Sequence, residues 1–232
     1  MIKMTIEETS VEYIKKSNLR KKEFSLFGRI PFLVKDPLPD NINLENLINH
    51  IQKKIPEHLF YEVDMIMVGQ FPEFEERQVK SVYTDGAIYA TNEQTSEKDL
   101  FDDIVHEIAH SLEKPYGHRI YGDDNLELEY LGKRQKLLDI LRANGYNIGY
   151  DLDRTPDYVQ EFDEFLYFDL GFENLKSYIR GLFVTPYSAT SISEYFSEGF
   201  EHYLVHDPAY LRKISPVLYS KVEFLVEPET EL

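Results

Sequence analysis

The sequence predicts a single α+β domain, with a small sheet and one long helix first and a mainly helical second half after them. Three observations predict it. Extended or β-rich runs fall at residues 24–34, 61–68 and 79–91, apolar residues recur at helical spacing over 44–51 and 100–112, and Pro, Gly and Asn punctuate the chain between them. At 232 residues and 42% hydrophobic content, the chain can bury a sizeable core. Aromatics make up 14% with no Trp, so Tyr and Phe knit that core. Low hydrophobicity, part of the signature of disorder, is absent.

The elements follow in order. Ile6 to Lys22 reads as a polar helix, locally basic through Lys15, Lys16, Arg20, Lys21 and Lys22, and Phe24 to Val34 reads as extended. Pro37, Pro39 and an Asn-rich stretch break the chain. Leu44, Leu47, Ile48 and Ile51 fall at i, i+3, i+4 and i+7, the stripe of an amphipathic helix ending before Pro56. Tyr61 to Val68 reads as a buried strand ended by Gly69. Val79 to Thr91 carries β-rich runs on both sides of Asp85-Gly86, the dipeptide of a type I′ hairpin turn. Ser96-Glu97-Lys98-Asp99 resembles a capping box with Asp in the Glu position. The helix it opens carries Leu100, Phe101, Ile104, Val105, Ile108 and Leu112 and is expected to stop before Pro115 and Gly117. Leu126 to Ala143, Asp157 to Leu170, Glu173 to Leu182 and Glu194 to Val205 read as further helices. One domain over 1–232 is then expected to comprise an N-terminal helix and extended segment (1–36), an upper lobe (37–114), a helical insertion (115–180) and a lower lobe (181–232), with a cleft between the lobes.

Charge and composition exclude several function classes. A net charge of −17 argues against a nucleic-acid partner, because neutralising phosphates needs a basic surface. It makes a basic peptide or protein substrate plausible. With no cysteine there is no disulfide framework, and any metal must be held by His and carboxylates. Residues 2–22 lack the apolar run of a signal peptide, and no stretch approaches the ~20 apolar residues of a membrane span, so no membrane partner is expected. The default expectation is a cytoplasmic protein, with export by a non-standard route leaving no trace in composition.

The chemistry concentrates at His106-Glu107-Ile108-Ala109-His110. On a helix, positions i and i+4 share a face, so His106 and His110 can aim two imidazoles at one metal ion. Glu107 projects beside that ion, placed to take a proton from zinc-bound water as general base. A catalytic zinc site needs a third protein ligand and an open position. A third His six residues past His110 is missing, since position 116 is Tyr. Glu129, nineteen residues past His110, matches an aminopeptidase-type spacing in a context that reads as a charged helix face. Glu194 and Glu198 are an i, i+4 pair of carboxylates in an aromatic setting, costly to bury unless a cation or donors neutralise them. One as ligand and the other orienting a ligand histidine would remove that cost. His202 and His206 read as a surface pair and His118 as a loop residue, while His50 and His58 carry no partner pattern.

His106-Glu107-x-x-His110, then Tyr187, Glu194 and Glu198, resembles the gluzincin pattern of the anthrax lethal factor catalytic domain and the Pro-Pro endopeptidases. The resemblance covers about a quarter of the chain. It implies a zincin-like metallopeptidase with one Zn2+ per chain, ligated by His106, His110 and Glu194. Glu198 would orient a ligand histidine from behind, Glu107 would be the general base, and the Tyr187 hydroxyl would donate to the oxyanion. It also implies that an extended peptide pairs along the hairpin strand ending Tyr89-Ala90-Thr91. Glu194 lies 84 residues after His110, well beyond the family separation, so substrate preference is not carried over. The expectation is a zinc endopeptidase. Its rivals are an inactive binding or assembly module of the same fold and an aminopeptidase using Glu129.

Overall fold

Left-handed backbone at two tight turns shapes the sheet. Asp85 (φ 47°) and Gly86 (φ 83°) form the expected type I′ link, and a Cβ on Gly86 would lie 2.5 Å from the Asp64 carboxylate. Phe27 (φ 53°) and Gly28 (φ 67°) turn the chain a second time, so the predicted extended run is a hairpin, β1 (Phe24–Leu26) and β2 (Ile30–Val34). A computed structural model of the chain describes residues 24–72, 74, 79–148 and 155–227. The helix expected at residues 6–22 lies outside them.

The sheet is mixed and five-stranded, in the order β1-β2-β3-β5-β4, with β3 at Met65–Gly69, β4 at Ser81–Thr84 and β5 at Ala87–Thr91. The outer pairs β1/β2 and β4/β5 are antiparallel, while β3 runs parallel to β2 and β5. β3 starts later than its apolar run because Glu57–Phe60 forms a 3-10 turn that buries Leu59 and Phe60. One expectation is overturned. The strand ending Tyr89-Ala90-Thr91 is not an edge: β5 is paired on both sides, and among the described residues β4 is the terminal strand on that side.

Helix α1 (Leu44–Lys54) buries Leu47, Ile48 and Ile51 and is capped by Asn43, which accepts from the amides of Glu45 and Asn46. The long helix α2 (Glu97–Ile120) packs on the sheet. Its Leu100, Ile104, Val105 and Ile108 join Ile66, Val68, Ile88 and Ala90 of β3 and β5 in one core, all at 0% exposure. At roughly 2 kcal/mol per buried aliphatic side chain, this contact anchors α2. Contrary to expectation α2 does not stop at Pro115 but continues for five more residues. A mid-helix Pro costs about 3 kcal/mol. Burial of Ile120 and the Tyr121 hydroxyl bond to Glu113 (2.7 Å) oppose that cost. His118 is therefore on the last turn of α2 and not in a loop.

Helices dominate the rest: α3 (Asn125–Ala143), α4 (Gln160–Glu164) running into a π-helical stretch at Phe165–Leu170, α5 (Phe172–Tyr178), α6 (Ile192–Val205), α7 (Pro208–Ile214) and α8 (Pro216–Val226). The helices predicted at 157–170 and 173–182 are both shorter than their apolar patterns. α6 packs on α2 and on α8. Gly199 makes the second contact possible, since a Cβ there would sit 2.3 Å from Leu218 Cδ2. Among the described residues no helix is long and apolar enough to cross a membrane.

Candidate metal centre

Two serine caps start the two helices that carry the site. Ser96 Oγ accepts from the Asp99 amide at the head of α2, and Ser191 Oγ accepts from the Glu194 amide at the head of α6 (both 3.1 Å). From there helical periodicity brings His106 and His110 to one face of α2, and Glu194, Glu198 and Glu201 to one face of α6. The packing of α2 on α6 sets these faces opposite each other.

Three donor atoms converge between them. His106 Nε2 and His110 Nε2 are 3.1 Å apart, and Glu194 Oε2 lies 3.1 Å from the first and 3.6 Å from the second. A tetrahedral ion with ligand bonds of about 2.1 Å holds its ligands about 3.4 Å apart. The opposite ring nitrogens face carboxylates, which favours a proton on each Nδ1. His110 Nδ1 lies 2.6 Å from Glu113 Oε1, and His106 Nδ1 faces Glu198 at 3.5 Å and Glu201 at 3.8 Å. With Nδ1 protonated against a carboxylate, each Nε2 presents a lone pair to the point that Glu194 also faces. In that tautomer the three facing atoms are all acceptors, a set that fits a cation. Among the described residues, the groups whose donor atoms lie within 4.8 Å of one another are His106/His110/Glu194 and His106/Glu198/Glu201, and either could hold a metal ion.

Burial opposes charge on His110, but the Glu113 and Glu194 carboxylates outweigh it and raise the imidazole to about 9. Burial likewise opposes charge on His106, and Glu194, Glu201 and Glu198 lift it well above its ordinary value. Burial would push Glu194 up, yet the two imidazoles hold it well below the usual carboxylate range. Burial and then the charge of Glu201 push Glu198 up to about 7.

The centre opens into a cleft of ≈ 590 Å³ whose other wall is the edge strand β4. Glu107 lines it, 4% exposed, with Oε1 accepting from Ser81 Oγ of β4 at 2.7 Å. Tyr187 lines it from the far side, its ring 6.3 Å from that of His106. Burial and the nearby Glu194 charge raise the Tyr187 hydroxyl above its ordinary value, which keeps it a neutral donor. His106, Glu107, His110, Tyr187, Glu194 and Glu198 therefore all line one cleft.

Glu129 is elsewhere. It accepts from Tyr195 Oη (2.9 Å) and from the amides of Val217 and Leu218 (2.9 and 3.1 Å), so it caps α8 and ties it to α3 and α6. It is neither a ligand nor an idle face residue. His202 and His206 lie outside the cleft lining, their rings 5.0 Å apart and tilted by 40°. His50 stacks on Phe101 (4.5 Å), and His58 Nε2 meets Leu225 O at 2.9 Å.

No family model and no curated protein matches the chain. Among solved structures, a candidate zinc-binding metallo-peptidase from Bacteroides caccae is similar at 14% identity, over 96% of this chain and 85% of that one, with a TM-score of 0.35.

The sequence reading missed several groups. Glu113 holds His110, and itself accepts from Tyr121 Oη and Ser193 Oγ (both 2.7 Å). Its signal was the i+3 spacing from His110 on the same helix. Glu201 stands seven residues past Glu194, two turns along the same face. Asp103 stands three residues before His106 on α2, an equally local spacing. Ser81 had no local signal, because only the sheet-to-helix packing brings β4 to the cleft.

Proposed function

We propose that the chain is a zinc-dependent endopeptidase of the gluzincin kind, related in site layout to the lethal factor and Pro-Pro endopeptidase group. The observation that carries this reading is the convergence of His106 Nε2, His110 Nε2 and Glu194 Oε2 at 3.1–3.6 Å, with a general base and an open cleft beside it. His106, His110 and Glu194 would hold the ion, and Glu113 and Glu198 would orient the imidazoles. When bound, zinc supplies a Lewis acid that polarises a carbonyl and acidifies water.

The chain's own groups divide the remaining work. Glu107, with Oε1 held by Ser81, would take a proton from water and return it to the departing amine. The neutral Tyr187 hydroxyl would donate to the oxygen on which charge develops. Among the described residues no strand pairs with the outer side of β4, and an extended peptide can add there as a further strand along the cleft. This edge, and not β5, would set the direction of the substrate.

Replacing Glu107 by Gln tests the reading. Peptide cleavage by the zinc-loaded variant should fall roughly 10²–10⁴-fold while zinc content stays at the wild-type level. Unchanged turnover, or a wild-type protein that binds zinc and cleaves no member of a broad peptide library, would favour a binding or assembly module instead.

A further inference from the structure

The strand beside the cleft also touches the base. Ser81 opens β4, and its Oγ donates to Glu107 Oε1 of α2 at 2.7 Å. The last torsion of a glutamate is broad, so fixing Oε1 decides where Oε2, the oxygen left for water, is aimed. The ladder shows which way the backbone of the same serine faces. Ser81 stands opposite Ala90, Val82 opposite Tyr89, Tyr83 opposite Ile88 and Thr84 opposite Ala87. One step before Ser81, the Thr91 amide donates to Lys80 O at 2.8 Å, which makes that pair a hydrogen-bonded one. Hydrogen-bonded and non-hydrogen-bonded pairs alternate along an antiparallel ladder. Val82 and Thr84 therefore turn their N–H and C=O groups inward to β5, while Ser81 and Tyr83 turn theirs to the outer side of β4. Among the described residues no strand pairs there. Ser81, Tyr83 and Glu107 all line the cleft. Two residues apart, the outward groups match the repeat of an extended peptide. Ser81 thus offers its backbone to an added strand and its hydroxyl to the general base.

We propose that Ser81 is a positioning residue: a substrate strand pairs with the outward groups of Ser81 and Tyr83, and the Ser81 hydroxyl aims Glu107 at the water beside that strand. The proposal rests on the peptidase reading for the role of Glu107. Because the hydroxyl acts through the base and not on the peptide, its loss is felt in turnover and not in binding.

Two measurements test it, with the peptide that zinc-loaded wild type cleaves fastest from a random dodecapeptide pool as the probe. In the first, NMR follows amide hydrogen exchange in zinc-loaded Glu107→Gln protein with and without that peptide. The Ser81 and Tyr83 amides should exchange readily alone and slow roughly 10-fold or more with peptide, while Val82 and Thr84 are slow throughout. In the second, Ser81→Ala should lower kcat roughly 10–10²-fold, with KM within about twofold and zinc content unchanged. Ser81→Thr, which keeps the hydroxyl on a residue suited to a strand, should recover most of the loss. An unchanged kcat, a loss that falls on KM alone, or no recovery with threonine overturns the role of the hydroxyl and leaves the peptidase standing. A Ser81→Ala protein that loses its zinc or does not fold overturns it too, since the bond would then be structural. Cleavage with no protection of Ser81 and Tyr83 overturns the pairing. Wild type that cleaves no member of the pool sinks the peptidase reading and the role of Ser81 with it.

Discussion

Glu129→Ala separates the two places where a carboxylate spaced from His110 could matter. The side chain accepts three hydrogen bonds, from the fully buried Tyr195 and from two amides at the head of α8. Hydrogen bonds to a charged acceptor contribute about 1.5–3 kcal/mol each, and a buried donor left unpaired costs about 1–3 kcal/mol. The three are not independent. Water can reach the α8 amides once the carboxylate is gone, whereas the Tyr195 hydroxyl stays dry. A loss of about 3–4 kcal/mol results. For a chain of this length each kcal/mol lowers Tm by about 2–4 °C, so the melting transition should drop by roughly 6–16 °C. Zinc content and the zinc-induced rise in Tm should be untouched. Differential scanning calorimetry with and without zinc, paired with elemental analysis, reads both quantities. Full stability with zinc binding abolished would show that Glu129 is a ligand and that the α8 cap is worth little.

Two further predictions concern stability. In metal-free protein, His110 is raised to about 9 from an ordinary 6.5, so its ion pairs stabilise the fold fully below pH 6.5 and are lost as pH rises towards 9. Glu113 and Glu194 are lowered from 4.5, so their contribution is full above pH 4.5 and is lost as pH falls through their depressed values. Urea midpoints of chelator-treated protein should therefore peak between pH 4.5 and 6.5 and fall towards pH 9, and a flat profile over that range would contradict the ion-pair assignment. Gly199→Ala puts a methyl 2.3 Å from Leu218 Cδ2 and 2.8 Å from its Cγ at the α6–α8 contact. It should cost about 1–3 kcal/mol by overpacking, measured by chemical denaturation, and no change would mean that α8 moves freely on α6.

Much of the site was legible because its spacing is local. His106 and His110 are one turn apart on one helix, Glu194 and Glu198 one turn apart on another, and a serine caps each helix at the position its register requires. Asp85-Gly86 likewise announced its turn, since few residues accept two successive left-handed conformations. What stayed illegible depends on partners far along the chain. A hairpin has two strands, and sequence does not say which of them meets β3; that choice made β4, and not β5, the terminal strand on that side among the described residues. Pro115 reads as a stop because propensity is local, whereas the burial that carries α2 past it is tertiary. Glu129 looked like one charge among several on α3, since the α8 amides that claim it lie 88 and 89 residues away.

The central claim is that His106, His110 and Glu194 hold one zinc ion. Elemental analysis of wild type and Glu194→Ala, purified side by side and dialysed against zinc, tests it most directly. One zinc per wild-type chain is expected, with its loss or marked weakening in the variant and both proteins folded. Wild type without zinc after reconstitution, or a variant that keeps a full equivalent, would contradict it.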